Sequence, residues 1–343
     1  MKYLTLTVPC YNSQDYMRRC IDSLLPGGED VEIIIVNDGS TDATGQIAAE
    51  YEKKYPGIVK AIQKENGGHG SGVNTGMKLA RGLYFKVVDS DDWLDAEAYR
   101  NLLKEIKIRC GKDQEEMLPD LIVCNYVYNH LEEGTSRSMA YRNVFPQKKV
   151  CSWNDMRHFK PSQYLIMHAL VYRTEILRQS GVILPEHTFY VDNIFAYNPL
   201  PYVKRILYLD MDLYQYYLGR EDQSVNEKVL MSRIDQQIRV TKIIAGSVDL
   251  NEVRQVYPKL ADYMCRNISI MMAISSIHLL LIQNEDAKQK RKKLWQDMKK
   301  ENPALYYRLK YTTLSGFTYL PGTLGGKLTV GGYRIARKIY LFQ

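Results

Sequence analysis

The chain has no Cys-x-x-Cys pair: its six cysteines, Cys10, Cys20, Cys110, Cys124, Cys151 and Cys265, are scattered along its length. Such spacing excludes a zinc ribbon or disulfide framework and suits core thiols. No signal peptide precedes the strand-like run at Tyr3 to Val8, so a reducing, cytoplasmic location is expected. The longest apolar stretch, Ile268 to Ile282, covers 15 residues and is interrupted by Ser269, Ser275, Ser276 and His278, so it falls short of a bilayer crossing and reads as a buried helix. No internal repeat or low-complexity linker is visible in the 343 residues, a length that suits one large α/β domain with an appendage. A dinucleotide fingerprint is missing as well. With Gly68 and Gly70 as its first glycines, Val73 stands where the third is required, and with Gly70 and Gly72, Thr75 does. Hydride transfer is therefore disfavoured.

The formal charge of +7 is unevenly placed. Residues 284 to 343 hold 13 Lys or Arg and 4 Asp or Glu, a net of +9, which leaves −2 for residues 1 to 283. Eight aromatic residues from Tyr306 to Phe342 are interleaved with these cations. Two readings fit: contact with an anionic membrane surface, where aromatic rings sit at headgroup level, or a solvated helix beside an ordinary aromatic core. Nucleic acid is not expected, because the chain has no zinc-finger spacing, RNP-like strand or basic zipper region.

From residue 1 to about 95, short β-rich runs alternate with amphipathic stretches, the pattern of a mostly parallel, Rossmann-like α/β sheet. Strands are expected at Tyr3 to Val8, Val31 to Val36, Ile58 to Ile62 and Tyr84 to Val88. Met17, Cys20, Ile21, Leu24 and Leu25 form the apolar stripe of a first helix, and Ile47, Ala48, Tyr51 and Tyr55 that of a second, which Thr41 or Asp42 can cap. Residues Gly67 to Gly72 read as a glycine-rich segment, with a short helix from Val73 to Ala80. Further on, Trp93 to Arg109 reads as helix, Leu121 to Tyr128 as strand before a hairpin at Glu133 to Thr135, and Val203 to Tyr217 as strand-like. Residues 226 to 343 form a helical, basic appendage. The parts are thus 1–95, 96–225 and 226–343.

The strongest chemical signal is Asp89-Ser90-Asp91-Asp92 at the carboxyl end of the fourth strand, where an open parallel sheet places its ligands. Three carboxylates in four positions repel one another unless a cation or strong donors offset the charge, and hard oxygen ligands suit Mg²⁺ or Mn²⁺. A calcium loop is rejected, since Trp93, Leu94 and Arg100 occupy positions that need Asp or Asn, Gly and Glu. The plainer reading is a helix N-cap region. Asp38, after a fully apolar strand, can accept from a nucleobase or ribose at the same edge, or form an Asx turn. The glycines around Gly68 allow main-chain N–H groups to approach a phosphate, with His69 in reach of the donor, or form a simple flexible loop in which His69 is incidental.

Five motifs in register, Val8-Pro9-Cys10-Tyr11-Asn12, Ile34 to Asp42, Asn66-Gly67-Gly68, Asn74-Thr75-Gly76 and Asp89 to Asp92, give the chain a pattern that resembles the family 2 glycosyltransferases. The resemblance implies a GT-A fold, a nucleotide-sugar donor with a UDP-sugar foremost, Mn²⁺ or Mg²⁺, and inversion at the anomeric carbon. It places Pro9, Tyr11, Asp38, Gly68 and Asn74 around the donor, Asp89 against ribose or sugar, and Asp91 on the metal. Asp192, in Thr188 to Phe195, looks like the acceptor-side base, with Val191 where relatives often carry an acid; taken alone, Asp192 reads as a helix cap. His168 and His187 lie near it without the spacing of a zinc site. Arg220 resembles a loop residue that counters donor phosphate, or makes surface ion pairs with Glu221 and Asp222. The Q-x-x-R-W pattern of polymer-making relatives is absent, since Leu218 stands three residues after Gln215. Transfer of a single sugar to a cell-surface glycan or lipid-linked precursor, at the inner membrane face, is the expectation. A nucleotidyltransferase and a non-catalytic nucleotide-sugar-binding protein are the alternatives.

Overall fold

The computed structural model describes residues 1–111, 118–219, 227–320 and 322–340. The chain divides into two compact units, one of Met1–Phe159 with Leu165–Gly219, the other of Lys160–Tyr164 with Arg220–Gln343.

The first unit is built on β1 (Leu4–Cys10), β2 (Val31–Asp38), β3 (Val59–Lys64), β4 (Tyr84–Val87), β5 (Trp93–Leu94), β6 (Leu121–His130), β7 (Thr135–Met139), β8 (Val150–Cys151), β9 (Leu170–Arg173) and β10 (Ile206–Leu218). Its helices are α1 (Met17–Leu24), α2 (Thr44–Lys54), α3 (His69–Leu79), α4 (Ala96–Cys110), α5 (Thr174–Ser180) and α6 (Asp192–Tyr197). The strand order is β3-β2-β1-β4-β9-β6-β10-β5, with β7 beside β6 and β8 beside β10. From β1 the chain winds outward through β2 and β3, then returns to the other side of β1 as β4, all in parallel. The crevice between the carboxyl ends of β1 and β4 is therefore a topological switch point. β9 enters antiparallel to both β4 and β6, and β6 pairs in parallel with β10. One sheet thus runs through both of the parts expected from residues 1–95 and 96–225.

Every residue of β1 and β2 is buried, as their apolar runs require of strands covered on both faces. The glycine-rich segment departs from its expected form. α3 begins at His69, four residues before the expected start at Val73, so most of that segment is helix packed on β1 and β2. Its glycines serve close approach: a Cβ at Gly72 would lie 2.9 Å from the Pro9 side chain, and one at Gly76 would lie 2.2 Å from that of Thr7.

The second unit is helical: α7 (Glu227–Ser232), α8 (Ile234–Gly246), α9 (Leu250–Val256), α10 (Pro258–Ile282), α11 (Glu285–Glu301), α12 (Pro303–Thr312) and α13 (Gly322–Tyr340), with a 3-10 segment Leu314–Tyr319 before α13. Leu260, Met264, Ile268 and Met272 of α10 are buried in its core with Trp295. Two buried serines of α10 find partners inside the unit: Ser276 Oγ accepts from Trp295 Nε1 at 3.0 Å, and Ser275 pairs with Thr241 at 3.0 Å. Arg266 donates to the carbonyls of Lys160, Pro161 and Gln163 and ties that short segment to α10. α10 runs longer than its apolar stretch suggests. It has 25 residues and a mean hydropathy of 1.6 over its most apolar window, enough to cross a membrane by length and composition, and half of that window is buried within the protein. All six cysteines are free, and five of them are buried.

Gly76→Ala should lower stability in urea by about 1–3 kcal/mol, because the new methyl group has no room against Thr7. Gly246→Ala, at a helical position with nothing within 4 Å, should be neutral or stabilise by up to about 1 kcal/mol. Equal effects at the two sites would remove the packing role assigned to the α3 glycines.

Candidate functional site

The loops after β1, β2 and β4 are stitched into one surface at the switch point. Asn12, held at φ 48°, accepts through Oδ1 from Thr41 N at 2.9 Å, and its own N–H donates to Ser40 Oγ at 2.9 Å. Ser13 Oγ pairs with Ser90 Oγ at 2.8 Å, which links the ends of β1 and β4. Tyr11, between these ties, is 55% exposed. Pro9 lies beneath the surface against Gly72.

The three acids after β4 have separate environments. Asp92 is fully buried and takes a hydrogen bond from Tyr214 Oη at 2.6 Å and another from Tyr217 N at 2.8 Å, so it fastens the loop to β10. Burial, then the charges of Asp91 and Asp89, push its carboxyl well above the usual range. Asp89 is held by two imidazoles, with His69 Nε2 2.8 Å from Oδ1 and His168 Nε2 3.1 Å from Oδ2. Burial works against its ionisation, but His69, then His168, hold the carboxyl far below the ordinary range. Asp91 is half-buried, and its carbonyl accepts from Arg19, whose guanidinium lies 4.0 Å over the Trp93 ring. None of these acids caps the following helix. That role falls to Asp95, which accepts from Glu97 N and Ala98 N.

His168 is itself fixed from three sides. Tyr216 stacks on it at 4.5 Å and Tyr214 packs at 4.6 Å, while its carbonyl accepts from the buried Lys86 Nζ at 2.6 Å. Burial pulls the Lys86 ammonium down to about 8. The β10 tyrosines reach this place because the strand carries extra residues against β6 between Leu209 and Tyr214.

A second wall comes from the segment before α6. Asn74 clips it to α3, donating to Leu184 O at 2.8 Å and accepting from Leu184 N at 3.0 Å. Ser71 Oγ donates to Glu186 at 2.9 Å, and His187 N donates to Gly67 O at 2.6 Å. His187 and Tyr190 have φ of 48° and 67°, a costly conformation for side-chain-bearing residues that clusters at functional sites. The segment delivers Asp192 as the first residue of α6. The cap position belongs to Val191, without a side-chain bond, so the helix-cap reading of Asp192 fails. Asp192 lies in the electrostatic field of His168, His69 and Asp89, and burial raises its carboxyl above the usual range.

Other expected donor residues are turned to support. Asp38 accepts from Lys64 Nζ at 2.7 Å, Gly67 N at 3.0 Å and Gly68 N at 2.7 Å, so its buried carboxylate moors the glycine turn. Gly68 N is therefore directed at the Asp38 carboxylate, the φ of 82° suits glycine, and a Cβ there would lie 3.2 Å from His187 N. Asn74 gives one N–H and one lone pair to Leu184 and so clips two segments together. Arg220 lies outside the described residues.

Ligand atoms of Asp89, Asp92 and His168 come within 4.8 Å of one another. Asp92 is a poor ligand here, because burial and then the charges of Asp91 and Asp89 favour its neutral form. The hard oxygens that suit Mn²⁺ or Mg²⁺ are those of Asp91 and the remaining lone pairs of Asp89, whose orientation the imidazoles fix. The donor set fits such an ion at Asp89 and Asp91.

A mostly parallel α/β sheet with an acidic turn at its switch point is the arrangement of a GT-A type glycosyltransferase fold. The solved structure of S. aureus TarS 1–349 in complex with UDP-GlcNAc matches it with a TM-score of 0.68 over 98% of this chain and 92% of that one, at 18% identity, a likeness of fold. The model of glycosyl transferase family 2 matches residues 5–110. The uncharacterized glycosyltransferase MG025 homolog of Mycoplasma pneumoniae is 32% identical over 229 residues, 65% of this chain and 70% of that protein. The uncharacterized glycosyltransferase EpsJ of Bacillus subtilis is 29% identical over 218 residues, 62% of this chain and 60% of EpsJ, less than two thirds of its length. The chain belongs to glycosyl transferase family 2.

Asp38→Ala should unmoor the glycine turn and cost about 1–3 kcal/mol, the penalty for leaving its buried partners unsatisfied. Hydrogen exchange at Gly67 and Gly68 should accelerate in the variant. Unchanged protection there would show that the turn is held by other contacts.

Proposed function

We propose that this protein transfers one sugar, with inversion, from a nucleotide-sugar donor to a glycan or lipid-linked acceptor. The observation that carries the reading is the Asp89 carboxylate fixed between His69 and His168 at the switch point, with the half-buried Asp192 in the same electrostatic field. A UDP-sugar is the favoured donor, supported by the UDP-GlcNAc that TarS holds on the same fold.

In this reading the exposed ring of Tyr11, at the end of β1, offers a face to the nucleobase. Asp89, kept ionised and immobile, accepts from a ribose or sugar hydroxyl and costs no reorganisation as the reaction proceeds. Asp91 and Asp89 would hold Mn²⁺ or Mg²⁺, which when bound supplies positive charge against the departing diphosphate. Asp192 takes the proton from the acceptor hydroxyl as that oxygen attacks the anomeric carbon from the face opposite the leaving group. Its raised pKa suits this work, because a carboxylate in the ordinary range is a weak base at neutral pH. His69, His168, Tyr214, Tyr216 and Lys86 keep the acids in place. Asp38 and Asn74 do the same for the two loops.

Asp192→Asn should leave donor affinity unchanged and reduce transfer by on the order of a hundredfold or more. Its stability supplies a second readout. Because the folded pKa is raised, the folded state binds more protons than the unfolded state between the ordinary carboxylate pKa of about 4 and the raised value, and stability falls as pH rises through that window. The ionised Asp192 is thus a cost at neutral pH, and Asp192→Asn should unfold at an equal or higher temperature at pH 7. A variant that transfers at the parental rate, or one markedly less stable at pH 7, makes Asp192 a structural residue.

Asp91→Asn should abolish the increase in melting temperature that a UDP-sugar gives in Mn²⁺ over that in its absence, since a neutral amide is a poorer ligand for a hard dication. An unchanged Mn²⁺-dependent increase would remove Asp91 from the metal site.

A further inference from the structure

α13 is amphipathic in the inverted sense. Its inward side is small or polar: Gly326 approaches Leu280 of α10, Thr329 Oγ1 donates to Phe317 O at 2.9 Å, and Tyr333 Oη donates to Glu227 at 2.9 Å. Its outward side is aliphatic. Leu324, Leu328 and Ile335, spaced four and seven residues apart and so on one helix face, are 71%, 62% and 61% exposed. Leu314 and Phe317, on the segment just before α13, are exposed as well. Water gives no reason to turn leucines out and threonine in, and an outer face of this composition matches an apolar medium.

Charge identifies that medium. Residues 302–343 contain six Lys or Arg and no Asp or Glu, and Lys327 and Arg334 are exposed on turns of α13 that carry the aliphatic stripe. A helix with leucines on one side and cations at their flank lies in the plane of a bilayer, its apolar side among acyl chains and its cations at the phosphates. A second copy of the same face would bring like charges together. Nucleic acid would leave the aliphatic side chains uncovered, and two of the aromatic residues available for base stacking are engaged inside the unit, with Tyr306 buried and Tyr319 stacked on Trp295 at 4.9 Å.

We propose that the outer face of α13, with Leu314 and Phe317, is an in-plane docking surface for an anionic lipid membrane. It holds the protein by aliphatic insertion and by attraction of Lys327 and Arg334 to lipid phosphates. The proposal does not depend on the activity proposed above.

The test is sedimentation of the full chain, without donor or metal, with vesicles of phosphatidylcholine alone and of phosphatidylcholine with phosphatidylglycerol. The parent should bind the mixed vesicles at least tenfold more tightly than the neutral ones, and 0.5 M salt should largely remove that preference. Leu324→Gln/Leu328→Gln/Ile335→Gln should lose binding to both by about tenfold or more, and Lys327→Glu/Arg334→Glu should lose the preference for the mixed vesicles; circular dichroism should show both variants folded as the parent is. Vesicle binding equal to the parent's in both folded variants overturns the proposal. So does a parent that ignores vesicles but dimerises in sedimentation equilibrium through the same leucines, which assigns the face to a second copy. If the glutamine variant fails to fold, the charge-reversed variant alone decides, since its changes lie at exposed positions.

Discussion

The pairing of Asp89 with two imidazoles is the constraint on which the site rests. A carboxylate at the edge of a sheet, beside Asp91 and Asp92, sits where like charge and desolvation both oppose ionisation. His69 and His168 reverse that balance, and each comes from a different part of the chain: His69 opens α3, and His168 ends the segment that leads into β9. Placing both at one carboxylate requires α3 to lie close on β1, hence the glycines at 72 and 76, and requires β9 to enter between β4 and β6. The buried residues around His168 then follow from the need to hold an imidazole in one orientation: Tyr216 on its ring, Lys86 on its carbonyl, and Asp92 on Tyr214.

The acids of this site are separated by environment and not by residue type. Asp92 is sealed and turned to structure, Asp89 is forced to stay ionised, and Asp192 is pushed toward greater basicity by burial near the charges that hold Asp89 down. Titratable groups driven in opposite directions within one site are what acid–base chemistry at neutral pH requires. The left-handed backbone of His187 and Tyr190 belongs to the same economy, since the segment that presents Asp192 is held by Asn74 and Ser71 in a shape it would not adopt alone.

Much of this was legible in the chain. Buried strands announce themselves by unbroken apolar runs, and the stripe of α1 by its spacing, because period and burial are local properties. The acidic turn after β4 stands out as a cluster of like charges, whereas Asp192 is marked only by the resemblance of Thr188 to Phe195 to a family motif. The hairpin at Gly134 was legible from its turn residues, and φ there is 62°. Other residues carry a structural duty that the sequence does not show. Asp38 and Asn74 carry groups that suit a ligand, yet the partners that consume them, Gly67, Gly68 and Leu184, are supplied by the fold. The glycines of α3 resemble a loop in sequence and are a helix in space, because a glycine needed for close packing and one needed for flexibility are written alike.

The sequence by itself determined the α/β alternation, the carboxyl-edge acids, the family motifs and the cationic tail, since each is a matter of local pattern or composition. Tertiary structure decided which acid keeps its charge, that two histidines 99 positions apart meet on Asp89, that Tyr214 and Tyr216 of β10 reach them, and that α13 turns its leucines outward. Those outcomes depend on strand order and on the field summed over neighbours distant in sequence. Neither quantity is carried by any one segment of the chain.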